Sequence, residues 1–465
     1  MQRNFLGFKL LTITGLIGLF CLGLLFLSNL VSERQGYQQH FLKDIAQNQV
    51  SEQSIISPYI RIPYTTLAPC SNDAAKQCSV LKWAYISADR TSWESDFSVS
   101  DQNYKRSIYR AISYQNSLNA IGQFSKPAIQ EATFDWNKAE IVFPIRDARG
   151  LKAKPTIQIN STTYEFNFSE DNRTKSGFDF MILSAEKHPE IINAIQNGFK
   201  FNSKLNIEGL SKFVLIPTSH EFQYKAKGNW QDIKYDGQIL PLTKLSRNDH
   251  FNAEWNNIAV GNNNLISIAK CQSSACLNQL SQGFSTSQNE YENQSKMGIS
   301  AEFIEQVNIY SQTDRAIKYG VMIILITFAS FFLFEVLKGL RIHPVQYTLV
   351  ALAQGIFFLL LLSISEYYAF ALAYVAAAIA CVLLMTWYLY YIMQGFKAAM
   401  LFGIILSTLY GMVYLLLQSS GKTFLMGSIL SFILLACVMY LTRHVNWYQL
   451  SQNNPSNHPR SLNLK

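Results

Sequence analysis

Long stretches of this sequence carry almost no charge. From Tyr319 to Leu441 only Glu335, Lys338, Arg341, Glu366, Lys397 and Lys422 are formally charged. A segment this poor in charge is built for hydrocarbon rather than water. Basic clusters are also missing. The net charge is +8, but Lys and Arg are scattered, with no basic tract or basic amphipathic helix, which argues against nucleic-acid binding. There is no His-Glu-x-x-His zinc helix, no Gly-x-Ser-x-Gly nucleophile elbow and no Cys-x-x-Cys pair. Gly421-Lys422-Thr423 resembles the end of a phosphate loop, but Leu416 stands where that motif needs glycine. No catalytic residue, cofactor site or metal site is therefore expected.

What is there falls into two compositions. Overall, 49% of residues are apolar and 15% charged. The stretch from Val31 to Lys318 reads as an ordinary polar protein, and the flanks do not. At the N-terminus, Arg3 and Lys9 precede an uncharged run from Leu10 to Leu27. The run exceeds a secretory core and ends in Ser28-Asn29-Leu30-Val31, without a small-x-small cleavage site. It is expected to be a retained anchor, residues 1–30. Five more apolar runs follow at Tyr319–Leu337, Val345–Ser363, Ala369–Ile392, Ala398–Leu417 and Thr423–Leu441. With breaks this short, neighbouring helices must run antiparallel.

Six spans place both ends on one side. Lys338, Arg341, His343, Lys397, Arg443, Arg460 and Lys465 then face the cytoplasm, and Glu366 faces outward. Only Lys422 opposes the positive-inside rule. The same topology exports 31–318. The expected fold class is an α+β membrane protein with six transmembrane helices in total and a large, mainly β periplasmic domain. A five-helix bundle would occupy 319–441 and a cytoplasmic tail 442–465.

The exported stretch is long enough for one domain or two lobes. Tyr37, Phe41 and Ile45, spaced i, i+4, extend the anchor helix beyond the membrane. Period-two segments then dominate, at Tyr59–Tyr64, Ile108–Tyr114, Ala139–Ile145, Thr156–Asn160, Tyr164–Phe168, Phe178–Leu183, Phe199–Ile207, Phe222–Ala226 and Phe251–Ala259, with one helical patch at Pro189–Gln196. This pattern predicts an antiparallel sandwich. Cys70, Cys78, Cys271 and Cys276 lie in the exported part. Three pairings are open, and the local pairs 70–78 and 271–276 are expected. Zinc is disfavoured by the spacing and the lack of nearby histidine.

Two polar groups stand out. Arg146-Asp147-Ala148-Arg149-Gly150 reads as a tight ion-paired turn, with Gly150 at a special backbone angle; anion binding is the other reading. Glu335 is the one carboxylate inside a predicted span. It lies three residues before Lys338 and is expected to form an interfacial ion pair with it. Gln354 is expected to hydrogen-bond between helices.

A family resemblance rests on particular residues. Thr313-Asp314-Arg315-Ala316-Ile317-Lys318-Tyr319 leads into Phe331-Phe332-Leu333-Phe334-Glu335. Leu340-Arg341-Ile342-His343-Pro344-Val345-Gln346-Tyr347, Ser365-Glu366 and Leu441–Tyr448 follow. With Val31-Ser32-Glu33-Arg34 and Asp147–Gly150, these segments resemble the CreD family of bacterial inner-membrane proteins over nearly the whole chain. Where that family often carries a Trp-Pro-His-Pro-Ser-Phe-like stretch, this sequence reads Asn229-Trp230-Gln231-Asp232-Ile233-Lys234. The resemblance implies a non-enzymatic envelope-integrity protein linked to the Cre two-component system, colicin tolerance and β-lactam response. It brings no cofactor. The implied partners are the lipid bilayer and an envelope protein or cell-wall component met through the periplasmic domain. Asp314, Arg315, Glu335, Arg341, His343, Pro344 and Glu366 are the candidate junction or interfacial residues. A transporter or channel with a periplasmic cap is the alternative. The sequence sets no oligomeric state.

Overall fold

The computed structural model describes residues 5–70, 73–127, 133–168, 177–247, 249–258, 260–271, 276–277, 297–304, 309–338, 342–393, 395–418 and some positions in 425–443. The chain divides into two compact units. One comprises Met1–Tyr37 and Val307–Lys465, the other Gln38–Gln306. The division falls several residues outside the apolar runs, because two helices continue past their hydrophobic stretches.

The first of these is α1, Phe5–Asn48. In the helical unit Phe20, Leu24, Leu27 and Val31 recur every three or four residues and are buried along one stripe. Leu19, Leu22, Leu25 and Phe26 are exposed on the other faces. In a bilayer such residues contact lipid. The second is α4, Ile309–Lys338. It is followed by α5 (Pro344–Ser365), α6 (Phe370–Met393) and α7 (Phe396–Gln418). Among the described residues five helices are long and apolar enough to cross a membrane. The sixth expected run, Thr423–Leu441, lies partly outside the described residues. Those described, including Leu425, Ile429 and Phe432, are helical.

α4 packs on α5 and α7, α5 on α6, and α6 on α7. Aromatic rings interlock at these seams. Phe331 of α4 meets Phe402 of α7 edge-on at 5.2 Å, and Phe357 of α5 lies 4.6 Å from Tyr410 of α7. Gly403 lets α7 close on α6, since a Cβ there would sit 2.6 Å from the Thr386 hydroxyl.

The other unit is a β-sandwich. Among the described residues one sheet has eight strands, in the order β16 (Thr243–Arg247), β17 (His250–Asn257), β14 (Glu221–Gly228), β4 (Arg90–Arg106), β5 (Tyr109–Phe124), β12 (Phe199–Leu210), β8 (Thr156–Ile159) and β9 (Thr162–Glu165). The other has ten. Its main path runs β10 (Asn167–Phe168), β11 (Asp179–Ser184), β7 (Glu140–Ile145), β1 (Gln53–Ile56), β13 (Lys212–Ile216), β18 (Ile299–Phe303) and β15 (Ile233–Gly237). The long hairpin of β2 (Tyr59–Cys70) and β3 (Asp73–Ile86) joins it through β7, and β6 (Thr133–Phe134) adds to β2. Pairing is antiparallel except for β1 with β13 and β4 with β14.

Between the sheets lies one apolar core. Trp93, Phe97 and Tyr114 of the eight-stranded sheet are fully buried against Phe143, Phe213 and Phe303 of the ten-stranded one, with ring centroids 5.2–6.3 Å apart. Burying each large apolar side chain contributes roughly 1.5–3 kcal/mol. The ten-stranded sheet is covered on its other face too. There Leu265 and Ile268 of α3 (Val260–Lys270) pack on Ile56, Val214 and Ile216. That double burial explains why β1 and β13 hide both of their faces. A short helix α2, Ile191–Asn197, matches the expected patch and docks Ile191 and Ile195 into the inter-sheet core.

Candidate functional site

The polar residues that stand out in the sequence lie at helix ends. In the β unit the end is that of α1. Phe41 and Ile45 pack against Ala111 and Leu210 there, whereas Tyr37, the first residue of the same i, i+4 series, is exposed. The last turn of any helix leaves carbonyl oxygens without backbone partners, and its partial negative charge favours a cation. Arg149 supplies one. Its Nη1 donates to the Gln47 carbonyl at 2.6 Å and its Nη2 to the Ala46 carbonyl at 2.9 Å.

Asp147 holds that guanidinium in place. Nε and Nη2 of Arg149 donate to Oδ1 and Oδ2 at 2.8 and 2.7 Å. Ser51, just past the helix, donates to Oδ2 from its amide at 2.9 Å and from its hydroxyl at 2.8 Å. Burial pushes the Asp147 carboxyl up, but the hydrogen bonds from Arg149 and Ser51 outweigh it and hold the group below its ordinary range. Asp179, whose Oδ2 accepts from the Ala148 amide at 2.9 Å, is raised by burial. Arg146 pairs with Glu52 at 3.4 Å.

The turn is therefore ion-paired, but Gly150 serves another purpose than expected. Its backbone is not left-handed. A Cβ at Gly150 would collide with the Glu208 carbonyl oxygen and with Gln53 Nε2, so the position needs space rather than a special angle. Gln53 is buried and ties the two segments, its Nε2 donating to the carbonyls of Asp147 and Glu208 at 3.0 and 3.1 Å. Nearby, Tyr104 donates to Glu208 at 2.9 Å. Burial and that carboxylate push its hydroxyl up to about 12.

In the helical unit the joints are similar. His343 caps α5, and Pro344 takes the first helical position, where no amide donor is needed. Val345 donates to His343 Nδ1 at 3.3 Å, and the His343 amide donates to Gln346 Oε1 at 3.0 Å. Glu335 is buried. Its Oε1 accepts from the Ile342 amide at 3.2 Å and its Oε2 from the Tyr347 hydroxyl at 3.1 Å. The carboxylate thus bridges α4, the connector and α5. The expected Glu335–Lys338 pair falls on a Lys338 side chain outside the described residues, as does Arg341.

At the opposite end of these helices, Glu366 follows α5 and lies 3.7 Å from Arg34 of α1. Asp314 accepts from Ser28 of α1 at 3.3 Å and pairs with Lys318 at 2.6 Å. Arg315 donates to Ser311 at 3.3 Å. Deeper in, Gln354 of α5 donates to Thr327 of α4 at 2.6 Å, the interhelical bond its sequence position suggests. Sequence reasoning misses Ser28, Ser51, Gln53 and Tyr347. The first three are linked to their partners only by the fold, but Tyr347 sits in the quoted Leu340–Tyr347 segment.

Cys271 and Cys276 form a disulfide, with Cα atoms 5.6 Å apart, directly after α3. Cys78 is also disulfide-bonded; the Cys70 side chain lies outside the described residues. Among the described residues no His, Cys, Asp and Glu cluster has the makings of a metal site.

A family model described as "Inner membrane protein CreD" matches residues 5–448. The Inner membrane protein CreD of Escherichia coli (strain K12) is 26% identical over 458 residues, covering 97% of this chain and 96% of that protein. The match spans both units and every joint described above, and the chain belongs to the CreD family of inner membrane proteins.

Proposed function

We propose that this is a non-enzymatic envelope-integrity protein whose β-sandwich, exported to the periplasm, binds an envelope protein or cell-wall component. A supporting observation is the use made of its distinctive polar side chains. Asp147, Arg149, Asp314, Glu335, His343 and Glu366 are each committed to ending, capping or tying a helix. Such residues build a platform. α1 is the link in this reading, with its last turn held by Arg149 and its membrane portion tied through Ser28 and Arg34. The positive-inside rule supports both termini in the cytoplasm, six spans and residues 31–318 outside. An oxidising periplasm accords with the bond at Cys271–Cys276. Cys78 fits a bond to Cys70 across the β2–β3 hairpin, where Ala68 faces Cys78. A role in envelope-stress response, including colicin tolerance and β-lactam response, follows from the family resemblance.

The test is photocrosslinking in cells from exposed positions spread over the sandwich. The proposal expects one cluster of positions to capture a discrete envelope partner. Capture from none of them contradicts it.

A transporter or channel with a periplasmic cap is the second reading, and the observation in its favour is the buried Glu335 carboxylate. Glu335→Gln keeps an acceptor for Tyr347 but removes the charge. The platform reading expects the variant to complement a deletion strain; loss of function with normal folding favours transport.

A further inference from the structure

Two cavities in the helical unit meet at Tyr414. The first, about 330 Å³, is a groove between α6 and α7. Its floor is made of small residues, Ala378, Ser407 and Gly411, and its rim includes Val375, Ile379 and Leu383. Among the described residues, a Cβ built at Gly411 meets no neighbouring atom within 4 Å, so the floor there is open backbone. The rim residues are 47–64% exposed aliphatics, as expected of a surface facing hydrocarbon. The second cavity, about 320 Å³, lies where α4 and α6 begin and α7 ends. Gln312 and Gln418 line it beside Phe370 and Leu417. The rings of Tyr374 and Tyr414, 5.3 Å apart, stand where the two cavities meet.

Polarity changes along this path. The end at Gln312 and Gln418 lies at the helix termini, where a bilayer has its headgroups, and the groove beyond Tyr414 is apolar. Gln312 Oε1 is buried and accepts no hydrogen bond among the described residues. A buried acceptor without a donor is unfavourable, so the site calls for a ligand that brings one. Together the cavities fall within the roughly 300–1,000 Å³ of small-molecule sites. The apolar face of a helix from a second copy would fill the groove, but such a face alone leaves Gln312 without a donor. A molecule with a donor-bearing head and a hydrocarbon tail satisfies both halves.

We infer that α4, α6 and α7 form a phospholipid site, with a donor-bearing headgroup at Gln312 and an acyl chain laid along the Ala378–Gly411 groove.

The test uses the full chain in nanodiscs containing phosphatidylethanolamine with a diazirine on its acyl chain. After illumination, adducts are mapped by mass spectrometry. The inference expects them to concentrate on Ala378, Ser407 and their groove neighbours, above the level at the exposed Leu349 and Leu352 of α5. Gly411→Leu, placed in open space, should block them severalfold and leave the α5 adducts unchanged. Phosphatidylglycerol, which also carries donors, should label the groove as well, and phosphatidylcholine, which has none, more weakly. Gln312→Leu should lower groove labelling by phosphatidylethanolamine about fivefold, the worth of one hydrogen bond, and abolish the headgroup preference. Equal labelling by all three lipids overturns the inference, as do adducts spread evenly over the lipid-facing helices. Disulfide trapping of Gly411→Cys against a second copy, or against residues 423–441, also overturns it.

Discussion

The guanidinium of Arg149 donates to the Gln47 carbonyl at 2.6 Å while Asp147 grips it from behind through both carboxylate oxygens. One arginine thereby ends α1, a helix long and apolar enough to cross a membrane. Lysine cannot reproduce the fork, because its single ammonium cannot bond two carboxylate oxygens and two carbonyls in one plane. Arg149→Ala is expected to cost about 2 kcal/mol locally, since it strips charge-assisted bonds from a buried aspartate and from the helix end. Hydrogen exchange of residues 41–49 should then quicken by roughly thirtyfold, with Arg149→Lys in between. Unchanged exchange would remove the clamp from the account.

Gly150→Ala offers a steric test of the same corner. The new methyl would meet the Glu208 carbonyl and Gln53, both fixed by hydrogen bonds. A loss of roughly 1–3 kcal/mol is expected in denaturant unfolding. Gly36→Ala, in the open middle of α1, meets nothing within 4 Å among the described residues and should stabilise by roughly 0.5–1 kcal/mol. Equal effects at the two sites would contradict the crowding at Gly150.

The corner also predicts a pH dependence. Asp147 is held below its ordinary value of 3.8 in the folded chain. The unfolded chain therefore takes up its proton first as pH falls, and stability declines with it. The contribution of Asp147 is complete above the ordinary value and disappears as pH drops through the lower folded one. Asp179, raised by burial, acts in the opposite sense. In acid titrations of stability, Asp147→Asn should be less stable than wild type at neutral pH, and the gap should narrow as the pH falls below about 4, the ordinary aspartate range. A constant gap across the range would argue against the ionised Asp147.

In the helical unit, Tyr347→Phe deletes the hydroxyl that donates to Glu335 but keeps the ring between Phe328 and Phe331. Leaving the buried carboxylate one donor short is expected to cost about 1–3 kcal/mol. Thermal unfolding in detergent should show the loss, and Tyr347→Phe combined with Glu335→Gln should recover part of it. No difference between the single and double variants would show that the bond contributes little.

How much of this was legible in the sequence varied with the physics. Phe41 and Ile45 could be read because a helix end that packs by one face keeps its i, i+4 spacing. β12, β14 and β17 could be read from their alternation. β4 was not, because its core face mixes Thr91 and Ser95 with Trp93 and Phe97. Those polar side chains are buried in hydrogen bonds to Ser219 and Tyr224. α3 was hidden by Asn262-Asn263-Asn264, a poor helix-forming run. Asn264 is kept there by its bond to the Pro217 carbonyl at 2.9 Å. The ion pair within Asp147–Gly150 was visible as a local pattern. Its target was not, because the Gln47 carbonyl lies 102 residues away along the chain.

Topology decides most directly whether a β-sandwich is exported on a membrane platform. Lys244 lies on the exposed strand β16, and Lys397 near the start of α7. Each is changed to cysteine in turn, and intact spheroplasts are treated with a membrane-impermeant maleimide. The account predicts that Lys244→Cys is labelled at once and Lys397→Cys only after lysis. Labelling of Lys244→Cys only after lysis would contradict it.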